Sequence, residues 1–272
     1  MKFGFCNELF RDWEIKRMCE FLMKLGYQGV EIAPWVYFSS RSDFYKVDKV
    51  SATIEKSGLD VIGFHWIFGK DSEYYINHTD KSIREKTSDY LCELIRLCSD
   101  LKGKIIVIGS GKRRNVQVGI TYKQAWEYTK DFFEKPLKVA ADKGIILCLE
   151  PLSKDLTNFI NTAEEAIRFI REVDHPNLAL ILDVYSLSKE SKSMEDIILE
   201  AKDYLKHFHV DDTNKKGPGA GNVNFAPIIQ ALKSVNFEGY ISVEVHDLKV
   251  DPEITASRSI QCLKKCFINK AK

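Results

Sequence analysis

The fold is decided by the segment Gly144-Ile-Ile-Leu-Cys-Leu-Glu150-Pro. Its apolar residues follow one another without polar alternation, which is typical of a strand that is covered on both faces in a parallel sheet. The apolar run ends at Glu150, which carries a carboxylate. Three later segments repeat the pattern, because their apolar runs lead to Asp183, His209 and Glu244. Four successive strands therefore carry an acid or an imidazole at their C-terminal ends.

Apolar strands alternate with amphipathic helices eight times along the 272 residues. The strands are predicted at residues 3–6, 29–33, 61–65, 104–109, 144–150, 178–183, 205–209 and 239–244. Eight such units predict an α/β fold of the (βα)8 TIM barrel type, which typically takes about 250 residues. Because no linker or change of composition divides the chain, we expect residues 1–272 to form a single domain.

An open, doubly wound parallel sheet is the alternative topology. Such a sheet more often has a glycine-rich phosphate loop after its first strand. Here that turn reads Cys6-Asn-Glu-Leu-Phe10 and contains no glycine. The barrel is therefore favoured, and in a barrel the catalytic groups come from the C-terminal ends of the strands.

The composition excludes several classes of partner. The formal net charge is +1, so neither nucleic acid nor an anionic membrane is indicated. No apolar segment is long enough to cross a bilayer. The seven cysteines are scattered and odd in number, which argues against a disulfide framework. With no secretory signal pattern at Met1-Lys-Phe-Gly-Phe-Cys6, we expect a reduced, cytoplasmic protein.

The four strand-end groups point to metal chemistry. Three carboxylates and an imidazole that converge from adjacent strands would be repulsive and poorly solvated unless a cation lay among them. Oxygen-rich ligation with one histidine suits Mn²⁺ or Mg²⁺ best, and Co²⁺ or Zn²⁺ are compatible with it. The alternative is that each acid caps a helix or pairs with a lysine, but four in succession favour the metal ion.

Five segments carry a resemblance to a known family. They are Glu150-Pro-Leu, Asn158-Phe-Ile-Asn-Thr-Ala-Glu-Glu-Ala166, Leu182-Asp183-Val-Tyr, His207-Phe-His209 and Ser242-Val-Glu244-Val. They resemble the sugar phosphate isomerase/epimerase family of xylose isomerase-like TIM barrels, which includes the D-tagatose 3-epimerase type. The likeness covers essentially the whole chain. It implies one divalent metal ion, for which we favour Mn²⁺, held by Glu150, Asp183, His209 and Glu244.

The resemblance also implies an activity. In the epimerases of this family two glutamates transfer the proton next to a ketose carbonyl, through an enediolate that the metal ion stabilises. Glu150 and Glu244 match these positions and are the predicted catalytic residues. An epimerisation needs two such groups, because the proton must return on the opposite side.

Three positions depart from the family pattern. A histidine usually follows the strand-six aspartate by three residues, and here it is Ser186. A glutamate is replaced by Leu156, and an arginine in the loop after strand seven by Lys215, which cannot form the same bidentate contact. In the family these residues contact sugar hydroxyls or orient the site. Their replacement is therefore expected to alter the sugar specificity or to abolish the activity.

Further candidates for substrate binding lie at other strand ends. His65 and Trp66 follow strand three, and Glu31 lies at the end of strand two, where it would orient His65 or a sugar hydroxyl. Lys112 belongs to a basic loop that would hold a phosphate or carboxylate of the substrate. For each of these residues the alternative is an ordinary structural or solvated position.

The same superfamily contains endonucleases with three zinc ions, but Ser110, Ser186 and Asn222-Val-Asn224 leave too few ligands for that cluster. We therefore expect a small-molecule sugar or sugar derivative as the partner, and the resemblance is compatible with a homo-oligomer. The main hypothesis is a metal-dependent ketose isomerase or epimerase. The alternatives are an inosose-type dehydratase and a non-catalytic barrel that binds a sugar or a metal ion.

Overall fold

Eight parallel strands close into a barrel in the computed structural model, which describes residues 1–38, 40–69 and 73–268. Each strand pairs with the next one along the chain, and the first pairs with the eighth. The strands are β1 Lys2–Cys6, β2 Gly29–Ile32, β3 Asp60–Phe64, β4 Ile105–Ile108, β5 Ile146–Leu149, β6 Leu178–Asp183, β7 Leu205–Val210 and β8 Tyr240–Val243. The predicted TIM barrel is confirmed.

Helices follow the strands and cover the barrel. In the described parts of the chain they are α1 Ile15–Leu25, α2 Pro34–Tyr37, α3 Val47–Lys56, α4 Lys81–Asp100, α5 Tyr122–Lys143, α6 Ala163–Val173, α7 Val184–Leu187, α8 Met194–Glu200, α9 Phe225–Ser234 and α10 Pro252–Ile268. None of these helices is both long enough and apolar enough to span a membrane.

Local chemistry fixes the ends of the helices. Thr121 and Thr162 precede α5 and α6, and each hydroxyl oxygen accepts a hydrogen bond from a backbone N–H of the first turn. Gly26 and Gly144 end α1 and α5 in the left-handed conformation, with φ of 91° and 65°. The two threonines fix where a helix begins, and the two glycines fix where a helix ends before the next strand.

The interior of the barrel holds the candidate site. Side chains on a strand alternate between the two faces of the sheet, so residues two apart share the interior. Cys148 and Ile181 therefore lie one layer below Glu150 and Asp183. Together with other inward-facing residues they form an apolar cluster of Ile62, Ile105, Val107, Cys148 and Ile181. This cluster supports the polar layer above it.

Two short helices were not predicted from the sequence. Both α2 and α7 are four residues long. Helix α7 begins directly after β6, and one residue separates α2 from the end of β2. From the sequence we also expect a long polar and aromatic loop at residues 66–80, and this segment falls partly on residues 70–72, which lie outside the described residues. Its described parts consist of turns and coil and include Trp66 and Gly69 at the mouth of the barrel.

Candidate metal and substrate site

The four predicted metal ligands lie together at the C-terminal end of the barrel. Glu150, Asp183, His209 and Glu244 each offer a ligand atom, and these atoms lie within 4.8 Å of one another. His209 Nδ1 is 3.0 Å from Glu244 Oε2 and 3.9 Å from Glu150 Oε1. At most 9% of any of these residues is exposed. Four strands thus bring three acids and one imidazole to a single buried point.

The chemistry of these donors fits a divalent cation. Asp183 Oδ1 accepts the backbone N–H of Ser186 at 2.9 Å. Asp183 Oδ2 is buried and has no hydrogen-bond partner among the described residues. Leaving a buried carboxylate oxygen unpaired is costly, and a metal ion would satisfy it. Three carboxylates with one imidazole form the oxygen-rich set that Mn²⁺ or Mg²⁺ accepts.

The two glutamates of the site differ in their electrostatic surroundings. Burial, together with the neighbouring Glu244 carboxylate, raises the pKa of Glu150 to about 8. Burial alone would also raise the pKa of Glu244, but the nearby His209 and His246 hold that pKa well below its ordinary value. The same cavity therefore contains one carboxyl group that favours the protonated form and one that favours the ionised form.

His209 is oriented by a carboxylate beneath it. Its Nε2 lies 3.1 Å from Glu31 Oε2, which is also 2.8 Å from Nε2 of His207. This contact leaves Nδ1 facing the acids of the site. A carboxylate that fixes the second nitrogen of a ligating histidine is a common feature of metal sites. Glu31 therefore orients His209, whereas the sequence suggested that it would contact His65 or a sugar hydroxyl.

His65 connects Glu244 with a residue that the sequence analysis missed. Its Nδ1 is 3.1 Å from Glu244 Oε1, and its Nε2 is 3.0 Å from Glu8 Oε2. Burial disfavours the charged imidazole, but Cys6 and Glu8 raise the pKa of His65 well above its ordinary value. Glu8 lies two residues after the end of β1. Its position close to a strand end, like that of the other acids, is the signal in the sequence that could have identified it.

A cavity of about 580 Å³ opens above the three acids and the imidazole. Glu150 and Glu244 form part of its wall, and so do the predicted residues Trp66 and Lys112. The altered position Leu156 also lines it. Its size lies within the range of about 300–1,000 Å³ that is usual for small-molecule sites. We refer to it as the inner cavity.

Lys112 and Arg114 of the basic loop occupy different places. Lys112 is exposed at the edge of the inner cavity, in a position to meet a ligand. Arg114 is buried and donates to the carbonyl oxygens of Ile108 and Ile160 at 3.3 and 3.4 Å. Burial lowers the pKa of Arg114 to about 10. Arg114 therefore stabilises the loop, and Lys112 remains the candidate for substrate contact.

Ser186 and Lys215 are not among the residues described as lining the inner cavity. Ser186 is buried, and its Oγ accepts the backbone N–H of Ser153 at 3.3 Å. Lys215 Nζ lies 3.5 Å from Asp155 Oδ2 and 4.7 Å from the centre of the Tyr185 ring. Asp155 does line the cavity. Lys215 therefore acts on the cavity wall through Asp155 in this structure.

Gly109 provides the space that the Glu150 carboxylate occupies. A Cβ atom added at Gly109 would lie only 2.1 Å from Glu150 Oε2. The end of β4 must therefore lack a side chain for Glu150 to reach the other three groups. The sequence identifies Gly109 only as the end of a predicted strand, because its approach to Glu150 depends on the pairing of β4 with β5.

Asp211 and His246 form a second polar pair beside the site. Asp211 Oδ1 accepts the backbone N–H of Tyr185 at 2.8 Å, and Asp211 Oδ2 is 3.4 Å from His246 Nε2. Burial disfavours the charged imidazole, but Glu244 and Asp211 raise the pKa of His246 to about 10. Asp211 is the first residue after β7, and His246 lies two residues after Glu244. Their positions close to strand ends are the signal that could have identified them.

A barrel whose C-terminal mouth gathers acids, an imidazole and a ligand-sized cavity is typical of metal-assisted enzymes of the TIM barrel class. Residues 19–266 match the family model that is described as the xylose isomerase-like TIM barrel. Because this match covers most of the chain, the protein belongs to that family. The family predicted from the sequence motifs is confirmed.

Two curated relatives show the enzyme class. The chain is 28% identical over 240 residues to a D-psicose 3-epimerase of Ruminiclostridium cellulolyticum, which covers 86% of this chain and 80% of the relative. It is 24% identical over 277 residues to the 3-dehydro-D-guloside 4-epimerase of Escherichia coli, covering 98% and 100% of the two chains. The prediction of a sugar epimerase is confirmed at the level of the enzyme class, and the dehydratase alternative is not favoured.

A solved structure agrees with the fold. The D-psicose 3-epimerase of Clostridium cellulolyticum, crystallised with D-tagatose, superposes with a TM-score of 0.82 at 24% identity and covers 98% of both chains. At this level of identity the likeness supports the barrel architecture.

Proposed function

We propose that the protein is a metal-dependent ketose epimerase that moves a proton at the carbon next to the carbonyl. The observation that carries this proposal is the convergence of Glu150 and Glu244 on one candidate metal centre beneath the inner cavity. An epimerisation requires two groups that can exchange a proton with the same carbon. Two carboxyl groups that line the same cavity meet that requirement.

The side chains around the centre have distinct roles in this proposal. Glu150 and Glu244 accept and return the proton. His65 holds Glu244 through Oε1, and Glu31 holds His209 through Nε2, so both candidate ligands have fixed orientations. Trp66 and the apolar Leu156 exclude water from the inner cavity.

Glu150, Asp183, His209 and Glu244 would hold the metal ion, for which we favour Mn²⁺. When bound, the ion would polarise the substrate carbonyl and the hydroxyl next to it. The unpaired Asp183 Oδ2 and the oxygen-rich donor set support this assignment. The substrate is a small sugar or sugar derivative. The cytoplasmic location and the homo-oligomer remain predictions.

Proton exchange in D₂O tests the proposed function. The protein is incubated with Mn²⁺ and a panel of ketoses, and deuterium uptake next to the carbonyl is read by NMR. We expect uptake that is lost with a chelator and in Glu244→Gln, which should keep the fold. Glu164→Gln, on the exposed face of α6, is the matched control and should exchange normally. Normal exchange in Glu244→Gln would refute the role of this carboxylate.

A further inference from the structure

A second cavity adjoins the inner one. It has a volume of about 710 Å³ and is lined by Arg11, Trp35, Phe68, Gly69, His246, Asp247, Leu248 and Lys249. Gly69 and His246 line both cavities, so the two spaces meet at these residues. We refer to the second space as the outer cavity. Either cavity alone is large enough for a small-molecule ligand.

Two tryptophans form the partition between the cavities. Trp66 lines the inner cavity and Trp35 the outer one, and their rings meet edge to face with centroids 5.2 Å apart. Gly69 has a φ of 62°, and a Cβ atom added there would lie 3.8 Å from Trp35, in ordinary van der Waals contact. Gly69 therefore lies beside Trp35 where the two cavities meet.

His246 is held at the junction by a buried acid. Asp211 is fully buried and anchored to α7 through the N–H of Tyr185, and its second oxygen faces His246 Nε2 at 3.4 Å. The side chain of His246 is 31% exposed. A polar ring is thus fixed where a ligand would pass from one cavity to the other.

We propose that the outer cavity binds a second sugar ring, so that the substrate is a keto-disaccharide or a related glycoside. This inference rests on the proposed function, with the ketose unit in the inner cavity. The half-buried ring of Trp35 offers an apolar surface on which the C–H face of a sugar packs. Arg11 and Lys249 offer donors for its hydroxyl groups. A free monosaccharide bound in the inner cavity would leave this surface unused.

Deuterium uptake with matched substrates tests the proposal. The Mn²⁺-loaded protein is assayed with D-fructose, isomaltulose, lactulose and D-fructose 6-phosphate, and kcat/KM is determined for each. We expect one keto-disaccharide to exceed D-fructose by about tenfold or more. In Trp35→Ala the ratio of the disaccharide value to the D-fructose value should fall about tenfold, chiefly through KM. Trp13→Ala, an aromatic deletion outside both cavities, should leave the ratio unchanged.

Three results would overturn the proposal. The first is equal or better use of D-fructose by the wild type. The second is an equal loss on both substrates in Trp35→Ala, which would indicate a structural role. The third is a preference for D-fructose 6-phosphate that Trp35→Ala does not alter, since it would assign the outer cavity to an anion.

Calorimetric titration separates this inference from the proposed function. Isomaltulose and lactulose are titrated into the Mn²⁺-loaded wild type and Trp35→Ala. Binding that Trp35→Ala weakens, in a protein that exchanges no deuterium, would support the outer cavity as a sugar site and refute the epimerase. Absence of binding and of exchange with both disaccharides would overturn the inference.

Discussion

At the scale of single residues, the site depends on the absence of a side chain directly after β4 as well as on the acids at the ends of other strands. Gly109 directly follows β4 beside Glu150, and the carboxylate occupies the space that a side chain at Gly109 would need. Gly109 does not have a positive φ, so its role here is spatial rather than conformational. A methyl group at this position would be tolerated by the backbone and would displace the acid.

We predict that Gly109→Ala weakens metal binding about 10- to 100-fold, because Glu150 must move away from the other three ligands. Calorimetric titration of Mn²⁺ measures the change, and thermal unfolding monitors the fold. Gly58→Ala is the control. At Gly58 φ is 81° and nothing lies within 4 Å of an added Cβ, so that variant should lose about 1 kcal/mol of stability and bind metal normally. Unchanged affinity in Gly109→Ala would contradict the prediction.

At the scale of elements, three segments of the mouth meet at one carboxylate. Asp155 follows β5, Tyr185 belongs to α7, and Lys215 follows β7. The Tyr185 hydroxyl donates to Asp155 Oδ2 at 2.6 Å, and Ser153 Oγ donates to Asp155 Oδ1 at 2.6 Å. Hydrogen bonds from Ser153 and Tyr185 lower the pKa of Asp155 to about 2. The β5 loop is thereby tied to α7.

We predict that Tyr185→Phe raises the pKa of Asp155 towards its ordinary value of about 3.9, because a donor to the ionised form is lost. The folded-state pKa is depressed, so this contact stabilises the protein above pH 4 and its contribution is lost as the pH falls towards 2. Carboxyl ¹³C NMR of the two proteins measures the shift. A pKa that stays near 2 in Tyr185→Phe would show that Ser153 alone sets it.

The sequence predicted the elements better than the short segments between them. Periodicity located β1 to β8 and predicted their alternation with amphipathic helices, because this signal is local. The four-residue α7 has a local cap, because Asp183 accepts the N–H of Ser186, and a tertiary contact, because Asp211 accepts that of Tyr185. Asp211 comes from the end of the neighbouring strand β7, so its contact with α7 cannot be seen in the sequence.

The same contrast holds for the candidate site. Glu150, Asp183, His209 and Glu244 could be named because the ends of parallel strands meet at one edge of a barrel. The outer cavity could not be predicted, because it is formed by side chains from the turns after several different strands. Their meeting is decided by how the loops fold across the mouth.

At the scale of the whole molecule, binding of a cation at the candidate centre would be coupled to folding. Burial and the neighbouring acids raise the pKa of Glu150, which reflects the cost of placing like charges together. A ligand that binds only the folded state stabilises it by mass action.

We predict that Mn²⁺ at a hundredfold excess over its Kd stabilises the protein by about 2.7 kcal/mol. Calorimetric melting with Mn²⁺ and with EDTA would reveal the rise in Tm. Asp183→Asn keeps the acceptor for Ser186 but removes a ligand charge, so its Tm should respond much less. An equal rise in wild type and Asp183→Asn would place the metal ion elsewhere.

The closed ring of strands also has a consequence for the order of assembly during synthesis. Each pairing from β1 through β8 joins neighbours along the chain, whereas the pairing of β1 with β8 joins Lys2–Cys6 to Tyr240–Val243. The barrel therefore cannot close on the ribosome until the last unit has emerged. Before that moment β1 presents an open edge, which is a site for pairing with other nascent chains. Glu244, the residue just after β8, arrives with the strand that removes this hazard.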